Sequence, residues 1–238
     1  MFITLETRGN IFLLTLTGET EHRLSPSVIS HLRSLLSQIR SEAKPGSVLI
    51  TTAQGKFFSN GFDLTWAQSN GPSFFRDRLH QMVIDFKPVI SDLISLPLPT
   101  IAAVTGHAAA AGFLLAIGHD YVYMRKDRGV LYMSELDIGM TLPDYFMAFM
   151  REKIWVKSLR DVVLQGKRIK GEDGVKMGII DEVFCNAEET IEAAFKLGDK
   201  LGSRKWNGEV YLEIRKSTLK GVLPVLGLVE KEVLVARL

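Results

Sequence analysis

PLPTIAAVTGHAAAAGFLLAIGHD, residues 97–120, is the stretch whose reading decides the fold of this 238-residue chain. Thr100–Val104 reads as a short apolar strand, Thr105-Gly106 as a turn, and the alanine-rich run leads into an apolar helix. A strand delivered into a helix start leaves the first backbone N–H groups without intrahelical partners. The aligned peptide dipoles add partial positive charge at the same place. Ala108 to Gly112 carry almost no side-chain bulk, so a ligand can approach the backbone itself. The combination fits a site for a developing anion. It also fits a tightly packed buried helix, and the segment alone does not separate the two. No acid or base stands in its first helical turns.

Outward from this stretch, residues 2–7 and 10–17 alternate as a hairpin with Arg8-Gly9 in the turn. Ser25-Pro26 opens a helix to about Ile39, and Lys44-Pro45-Gly46 ends it. A strand at Ser47–Thr52 is followed by a glycine-punctuated loop, Gln54 to Leu64. Residues Pro72 to Leu96 carry a helical pattern (Phe74, Phe75, Leu79, Met82, Val83, Phe86), and Pro88 predicts a break or kink. Strands are expected near Asp120–Met124 and Val130–Tyr132. Beyond Pro143 the chain reads as mostly helical, with one strand around Ile180–Phe184. This strand–strand–helix rhythm predicts a layered α/β fold. A core domain is expected over 1–186 and a helical region over 187–238. In the latter, Val222, Leu223, Val225, Leu226, Leu228 and Val229 exceed the apolar needs of one small helix pair, pointing either to a second subunit or to packing within the chain.

Composition excludes several classes. A formal charge of +2 gives no reason to expect nucleic acid as a partner, and no run of about twenty apolar residues predicts a membrane span. The lone Cys185 excludes an intrachain disulfide; its apolar run predicts a buried or edge thiol. The five histidines are dispersed, so no metal site is expected. The N-terminus lacks the order of a secretory signal, and Ala236-Arg237-Leu238 resembles a receptor-read peroxisomal address. Gly106 and Gly112 do not follow the G-x-G-x-x-G order of a dinucleotide site.

Three segments carry the chemistry together: Lys56 to Leu64 (KFFSNGFDL), Gly106 to Phe113 (GHAAAAGF) and Ser134 to Gly139 (SELDIG). Phe58 to Leu64 is similar to the F-x-A-G-x-D-[LI] signature of the crotonase, or enoyl-CoA hydratase/isomerase, superfamily, with Asn60 for the usual alanine. Gly106, Ala108 and Gly112 match its G-x-A-x-G-G-G signature, with Ala110 and Ala111 at two glycine positions. Gly166 to Val183 resembles its later helix-to-strand passage. The resemblance runs through essentially the whole chain in order. It implies a spiral of repeated ββα units with a C-terminal helical region that mediates trimers or dimers of trimers.

The resemblance also implies roles. The N–H groups of Phe62 and Ala111 would form an oxyanion hole for a thioester oxygen, with alanine tolerable at 111 if its backbone stays in an allowed region. The Asn60 carbonyl would meet the adenine of coenzyme A, and Arg23 and Lys56 would contact its phosphates. Trp66, Phe74, Phe113 and Leu114, beside Phe62, would line the acyl pocket. Removing a proton beside a thioester carbonyl puts charge on that oxygen, and two preorganised donors stabilise it by about 3 kcal/mol each. The family's hydratases hold water between two glutamates. Here the first position is Leu114 and the second is Glu135. A single carboxylate can carry a proton from C2 to C4 but has no partner for hydration. The pattern therefore resembles the Δ3,Δ2-enoyl-CoA isomerases, above all the peroxisomal plant type. No cofactor beyond the coenzyme A of the substrate is implied. Asp144, behind Pro143, reads as a helix cap; in the pocket, it would open a dienoyl-CoA isomerase reading. A hydratase, a thioester hydrolase and a non-catalytic acyl-CoA-binding subunit are the rival expectations.

Overall fold

A computed structural model describes residues 2–18 and 21–229. In chain order the elements begin with β1 (Ile3–Arg8), β2 (Ile11–Leu16), α1 (Pro26–Glu42), β3 (Val48–Ala53), β4 (Phe57–Ser59), α2 (Leu64–Gln68) and α3 (Pro72–Ile94). There follow β5 (Thr100–Val104), β6 (His107–Ala109), α4 (Ala111–Ile117), β7 (Tyr121–Arg125), β8 (Val130–Tyr132), α5 (Asp144–Lys153) and α6 (Val156–Leu164). The chain continues through β9 (Ile169–Lys170), α7 (Gly171–Lys176), β10 (Glu182–Phe184), α8 (Ala187–Gly202), α9 (Gly208–Thr218) and α10 (Leu223–Leu226).

Three successive units, β3-β4-helix, β5-β6-helix and β7-β8-helix, build the spiral. The first strands of the units lie side by side in a six-stranded sheet ordered β1-β2-β3-β5-β7-β10. Their second strands lie side by side in a four-stranded sheet ordered β4-β6-β8-β9. All pairs from β2 to β10 in the large sheet are parallel, which leaves its strands buried on both faces. Strand β2 shows the sorting: Phe12, Leu14 and Leu16 enter the main core, while Ile11 and Leu13 enter a second one with Ala194 and Leu201 of α8. The α/β spiral expected from the motifs is the observed fold.

Where expectation and structure part, the cause is length or context. β4, β6 and β9 have only three, three and two residues, too short to carry a period, and they fall in segments read as loop, turn or helix. Helix α3 continues unbroken through Pro88, and its buried face (Met82, Phe86, Val89, Ile90, Leu93) holds both sides of the proline in the core. Cys185 lies just past β10, the edge strand of the large sheet, and is exposed, so of the buried or edge thiol expected it is not the buried one. Val222, Leu223 and Leu226 are buried within the chain, whereas Val229 is exposed.

The C-terminal helices are tied back by one buried cation. Arg215 of α9, 7% exposed, donates to both carboxylate oxygens of Asp120 at 2.6 Å. It also donates to the carbonyls of Ile94, Leu96 and Leu98 at 3.2, 2.6 and 2.5 Å. Burial opposes both charges, and each stabilises the other, so the Asp120 carboxyl stays below its ordinary range. Alongside, fully buried His119 bonds Thr51 Oγ1 at 2.7 Å, and burial drops its pKa to about 4.

Candidate active site

Two turns meet at the ends of β4 and β6. At Gly106 and Gly112 closeness forbids a side chain, and at Gly61 the left-handed backbone disfavours one. A Cβ on Gly106 would lie 2.4 Å from the Lys56 carbonyl, and one on Gly112 only 2.3 Å from that of Ser59. A Cβ on Gly61, at φ +73°, would lie 3.4 Å from Ala111 N, which sets the two motifs against one another.

The peptide geometry aims two donors outward. The carbonyl of Gly61 accepts from Leu24 N at 2.8 Å, and Asp63 N donates to the Leu24 carbonyl at 3.4 Å. In a trans peptide the N–H points opposite to the carbonyl, so anchoring Gly61 turns the Phe62 N–H away from Leu24. The carbonyl of Ala110 accepts from Leu114 N at 3.1 Å, down the helix axis. The Ala111 N–H therefore points out of the helix start. Among the described residues neither N–H donates to a backbone carbonyl. The strain of the replaced glycines falls on Ala110, not Ala111. Ala110 sits at φ 50°, ψ −122°, a glycine conformation, while Ala111 is the first helical residue.

The Phe62 ring is wedged against Phe86 (5.6 Å, edge-on) and Phe146 (6.2 Å), which steadies its backbone. These rings border a cavity of about 910 Å³ lined by Phe62, Leu79, Val83, Met140, Leu142, Tyr145 and Phe146, with Val225 from α10. Glu135 lines the same cavity. It is 8% exposed, and its Oε2 has no hydrogen-bond partner. Burial pushes its carboxyl above the ordinary range, against hydrogen bonds from its own backbone and that of Ser134. The Glu135 carbonyl accepts from Met140 N at 2.8 Å, fixing the turn that carries it. Arg76, Asp77, His80, Lys87 and Asp144 line the cavity as well, so its wall is mixed. A hollow with apolar side chains around a carboxylate of raised basicity, next to an outward N–H pair, has the parts of an enolate-forming site.

The predicted residues divide into groups. Phe62 and Glu135 share the cavity, and Ala111 stands beside Gly61. Trp66, Phe74, Phe113 and Leu114 do not line that cavity, and its lining differs from expectation there. Trp66 lies under the Arg78 guanidinium at 3.7 Å, and Phe74 is 55% exposed. Phe113 and Leu114 are wholly buried in the main core, because α4 turns their side chains sideways while its N–H groups point along the axis. Sequence reasoning had noted Leu79 and Val83 as apolar positions of a helix; nothing local marks them as lining. Tyr145, whose hydroxyl donates to the Val83 carbonyl at 2.9 Å, had no signal at all.

Arg23 donates to Glu21 at 2.6 Å and to the Phe62 carbonyl at 3.3 Å, so it braces the turn that carries the Phe62 donor. The Asn60 side chain accepts from Tyr132 at 3.5 Å, and its backbone N–H donates to Glu21 at 2.9 Å. Lys56 lies on a different hollow from the cavity that Glu135 lines. Asp144 is the first residue of α5, preceded by Pro143 in the cap position, and it lies on the cavity wall. The bland reading of Asp144 as a cap is thus corrected.

The enoyl-CoA hydratase/isomerase family model matches residues 6–211. From Arabidopsis thaliana, peroxisomal enoyl-CoA delta isomerase 2 is 56% identical over 94% of this chain and 95% of its own length. Enoyl-CoA delta isomerase 3 of the same plant is 57% identical, over 90% of each chain. Peroxisomal enoyl-CoA delta isomerase 1 is 52% identical over 92% of this chain and 90% of its own. Among solved structures, an enoyl-CoA hydratase/isomerase family protein from Pseudomonas syringae superposes with a TM-score of 0.84 at 23% identity, covering 95% and 94% of the two chains. An apo enoyl-CoA isomerase from Mycobacterium tuberculosis gives 0.82 at 20%, covering 95% and 96%. The paired turns, the spiral and these likenesses agree: the chain belongs to the enoyl-CoA hydratase/isomerase family.

Proposed function

We propose that this protein is a peroxisomal isomerase that shifts the double bond of a cis- or trans-3-enoyl-CoA to trans-2, within the β-oxidation of unsaturated fatty acids. The observation that carries the reading is the buried carboxylate of Glu135, whose Oε2 has no hydrogen-bond partner, on the same cavity as Phe62. The thioester oxygen sits between the N–H groups of Phe62 and Ala111. The Glu135 carboxylate takes a proton from C2, and the electron pair moves through C1 onto the oxygen. The resulting dienolate returns its electrons to form C2=C3, and Glu135 delivers the same proton to C4. The step is redox-neutral. Coenzyme A enters with the substrate, its adenine at the Asn60 carbonyl and its phosphates toward Arg23 and Lys56. Leu114, fully buried where hydratases carry an acid, leaves no second carboxylate to hold a water there.

The names of two relatives as peroxisomal support the compartment. Ala236-Arg237-Leu238 lies outside the described residues; in this reading it meets the import receptor, and the region from 187 onward serves assembly into trimers or pairs of trimers. The test is conversion of 3-hexenoyl-CoA to 2-hexenoyl-CoA by purified protein, with Glu135→Gln in parallel. A variant that keeps most of the turnover overturns the shuttle, and 3-hydroxyacyl-CoA formed from 2-enoyl-CoA would favour a hydratase. One observation favours a second activity: Asp144 lies on the same cavity as Glu135. Turnover of a 3,5-dienoyl-CoA to the 2,4-isomer, lost in Asp144→Asn, would establish it.

A further inference from the structure

A second hollow of about 910 Å³ lies at the corner where the strands of the large sheet pass into those of the small one. The loops β3–β4, β5–β6 and β7–β8 form it, with Lys170 of β9 and the start of α8. It shares no lining residue with the acyl cavity. The chain as a whole is nearly neutral, at +2. This one hollow nevertheless collects Lys56, Arg125, Lys126, Arg128 and Lys170 against a single carboxylate, Asp127. That carboxylate is taken: Arg125 holds both its oxygens through Nε and Nη2. Lys56, Lys126, Arg128 and Lys170 have no ion-pair partner among the described residues. Concentrated charge of one sign in a concave wall focuses potential and favours an anion there.

The turn that presents Lys126 and Arg128 is rigid. Lys126 N donates to the Phe184 carbonyl at 2.8 Å, and Arg125 donates to the Thr105 carbonyl at 3.2 Å. A Cβ on Gly129 would collide with the Arg125 carbonyl at 2.6 Å, so this turn closes tightly on itself. On the wall, His107 Nδ1 is buried without a partner. Burial first, and then Lys56 and Arg168, hold its imidazole below the ordinary pKa. Unpaired cations on a fixed turn and an unpartnered imidazole nitrogen suit phosphate oxygens, which take several charge-assisted hydrogen bonds at once.

We infer that the corner hollow is a phosphate-binding site in which Lys126, Arg128 and Lys170 join Lys56 in holding a phosphorylated ligand. Two sources share this chemistry: the nucleotide end of bound acyl-CoA, which rests on the function proposed above, and a free phosphate compound. Lys56 and Phe62 are six residues apart along the chain that runs through β4, a span of at most about 20 Å. The pantetheine arm of an extended thioester can follow that path.

The probes are inorganic pyrophosphate and adenosine 3′,5′-bisphosphate, titrated calorimetrically into wild type and into Lys126→Ala/Arg128→Ala/Lys170→Ala. All three side chains are exposed, so their truncation leaves the fold intact. A control, Lys157→Ala/Lys196→Ala/Lys200→Ala, removes the same charge from exposed positions elsewhere. Wild type and control are expected to bind both probes at least about tenfold more tightly than the corner variant. Equal binding by all three proteins, or binding lost equally in the control, overturns the site. If the nucleotide end is the source, the corner variant raises KM about tenfold for a 3-enoyl-CoA and leaves KM for the matching pantetheine thioester unchanged. If a free phosphate compound is the source, both KM values stay level and pyrophosphate alters the wild-type rate. Probe binding is read without turnover, so failure of the isomerase reading leaves the outcome readable.

Discussion

Two neighbouring substitutions of identical chemistry are expected to move stability in opposite directions. Ala110 and Ala111 both stand at family glycine positions, yet only Ala110 occupies a backbone region that glycine favours, φ 50° and ψ −122°. Holding a residue with a Cβ there costs about 1–3 kcal/mol. Ala110→Gly removes that strain, and the freer unfolded chain takes back about 0.4–1 kcal/mol. The net expectation is a gain of about 1 kcal/mol, or about 2–4 °C in Tm for a chain of this size. Ala111 is fully buried in the first turn of α4. Its replacement by glycine loses about 1 kcal/mol of helix propensity and about 0.8 kcal/mol of buried methyl. The two variants should thus differ by nearly 3 kcal/mol. Urea unfolding followed by circular dichroism measures both, with the slope of the transition checked for constancy. Shifts in the same direction, or an Ala110→Gly protein weaker than wild type, would refute the assignment of strain to Ala110. Turnover should survive Ala110→Gly, because the Leu114 N–H still holds the 110–111 peptide that aims the Ala111 donor.

Other outcomes follow from buried charge and close approach. A carboxyl whose pKa is raised on folding contributes stability below its ordinary value of 4.5 and loses it as pH rises through the folded value. Glu135→Gln should therefore unfold about 1 kcal/mol later than wild type at pH 7. That advantage should vanish below pH 4.5, while turnover falls by about 10³-fold or more at every pH. In the wild type, kcat/KM should fall on the acid side with a midpoint above that of an ordinary glutamate. Arg215→Ala strands the Asp120 charge in the core and should cost about 3–5 kcal/mol in denaturant titration. Gly112→Ala should give no folded protein on gel filtration, since its Cβ meets the Ser59 carbonyl at 2.3 Å. Gly55→Ala, with nothing within 4 Å but φ +83°, should fold with a loss of about 1 kcal/mol.

The legible parts of this fold were those written locally. The hairpin, α1 and the strand–turn–helix at 100–117 follow from alternation, caps and glycines, and the two motif turns from residue types at fixed spacing. Glu135 stood out because a second acid was missing at Leu114. The wall of the Glu135 cavity was harder, since it is assembled from α3, α5 and α10, which lie far apart in the chain. Proximity in sequence misled at Phe113 and Leu114: two and three residues past a backbone donor, a helix has already turned their side chains into the core. Three strands of the small sheet, β4, β6 and β9, escaped because such short strands draw their order from neighbours and not from a pattern of their own, while β8 was read where it lies.

Arg215 also sets a timetable for synthesis. Its partners Ile94, Leu96, Leu98 and Asp120 are 121, 119, 117 and 95 residues earlier in the chain. At ribosomal speeds of about 5–20 residues per second, Asp120 waits about 5–20 s for its guanidinium. Through that interval the β5 end of the spiral holds an acid without its guanidinium, with Lys153 as a nearby cation once it is made, and three carbonyls with no donor from α9. The nascent spiral can collapse, but it cannot lock until the ninth helix has left the ribosome.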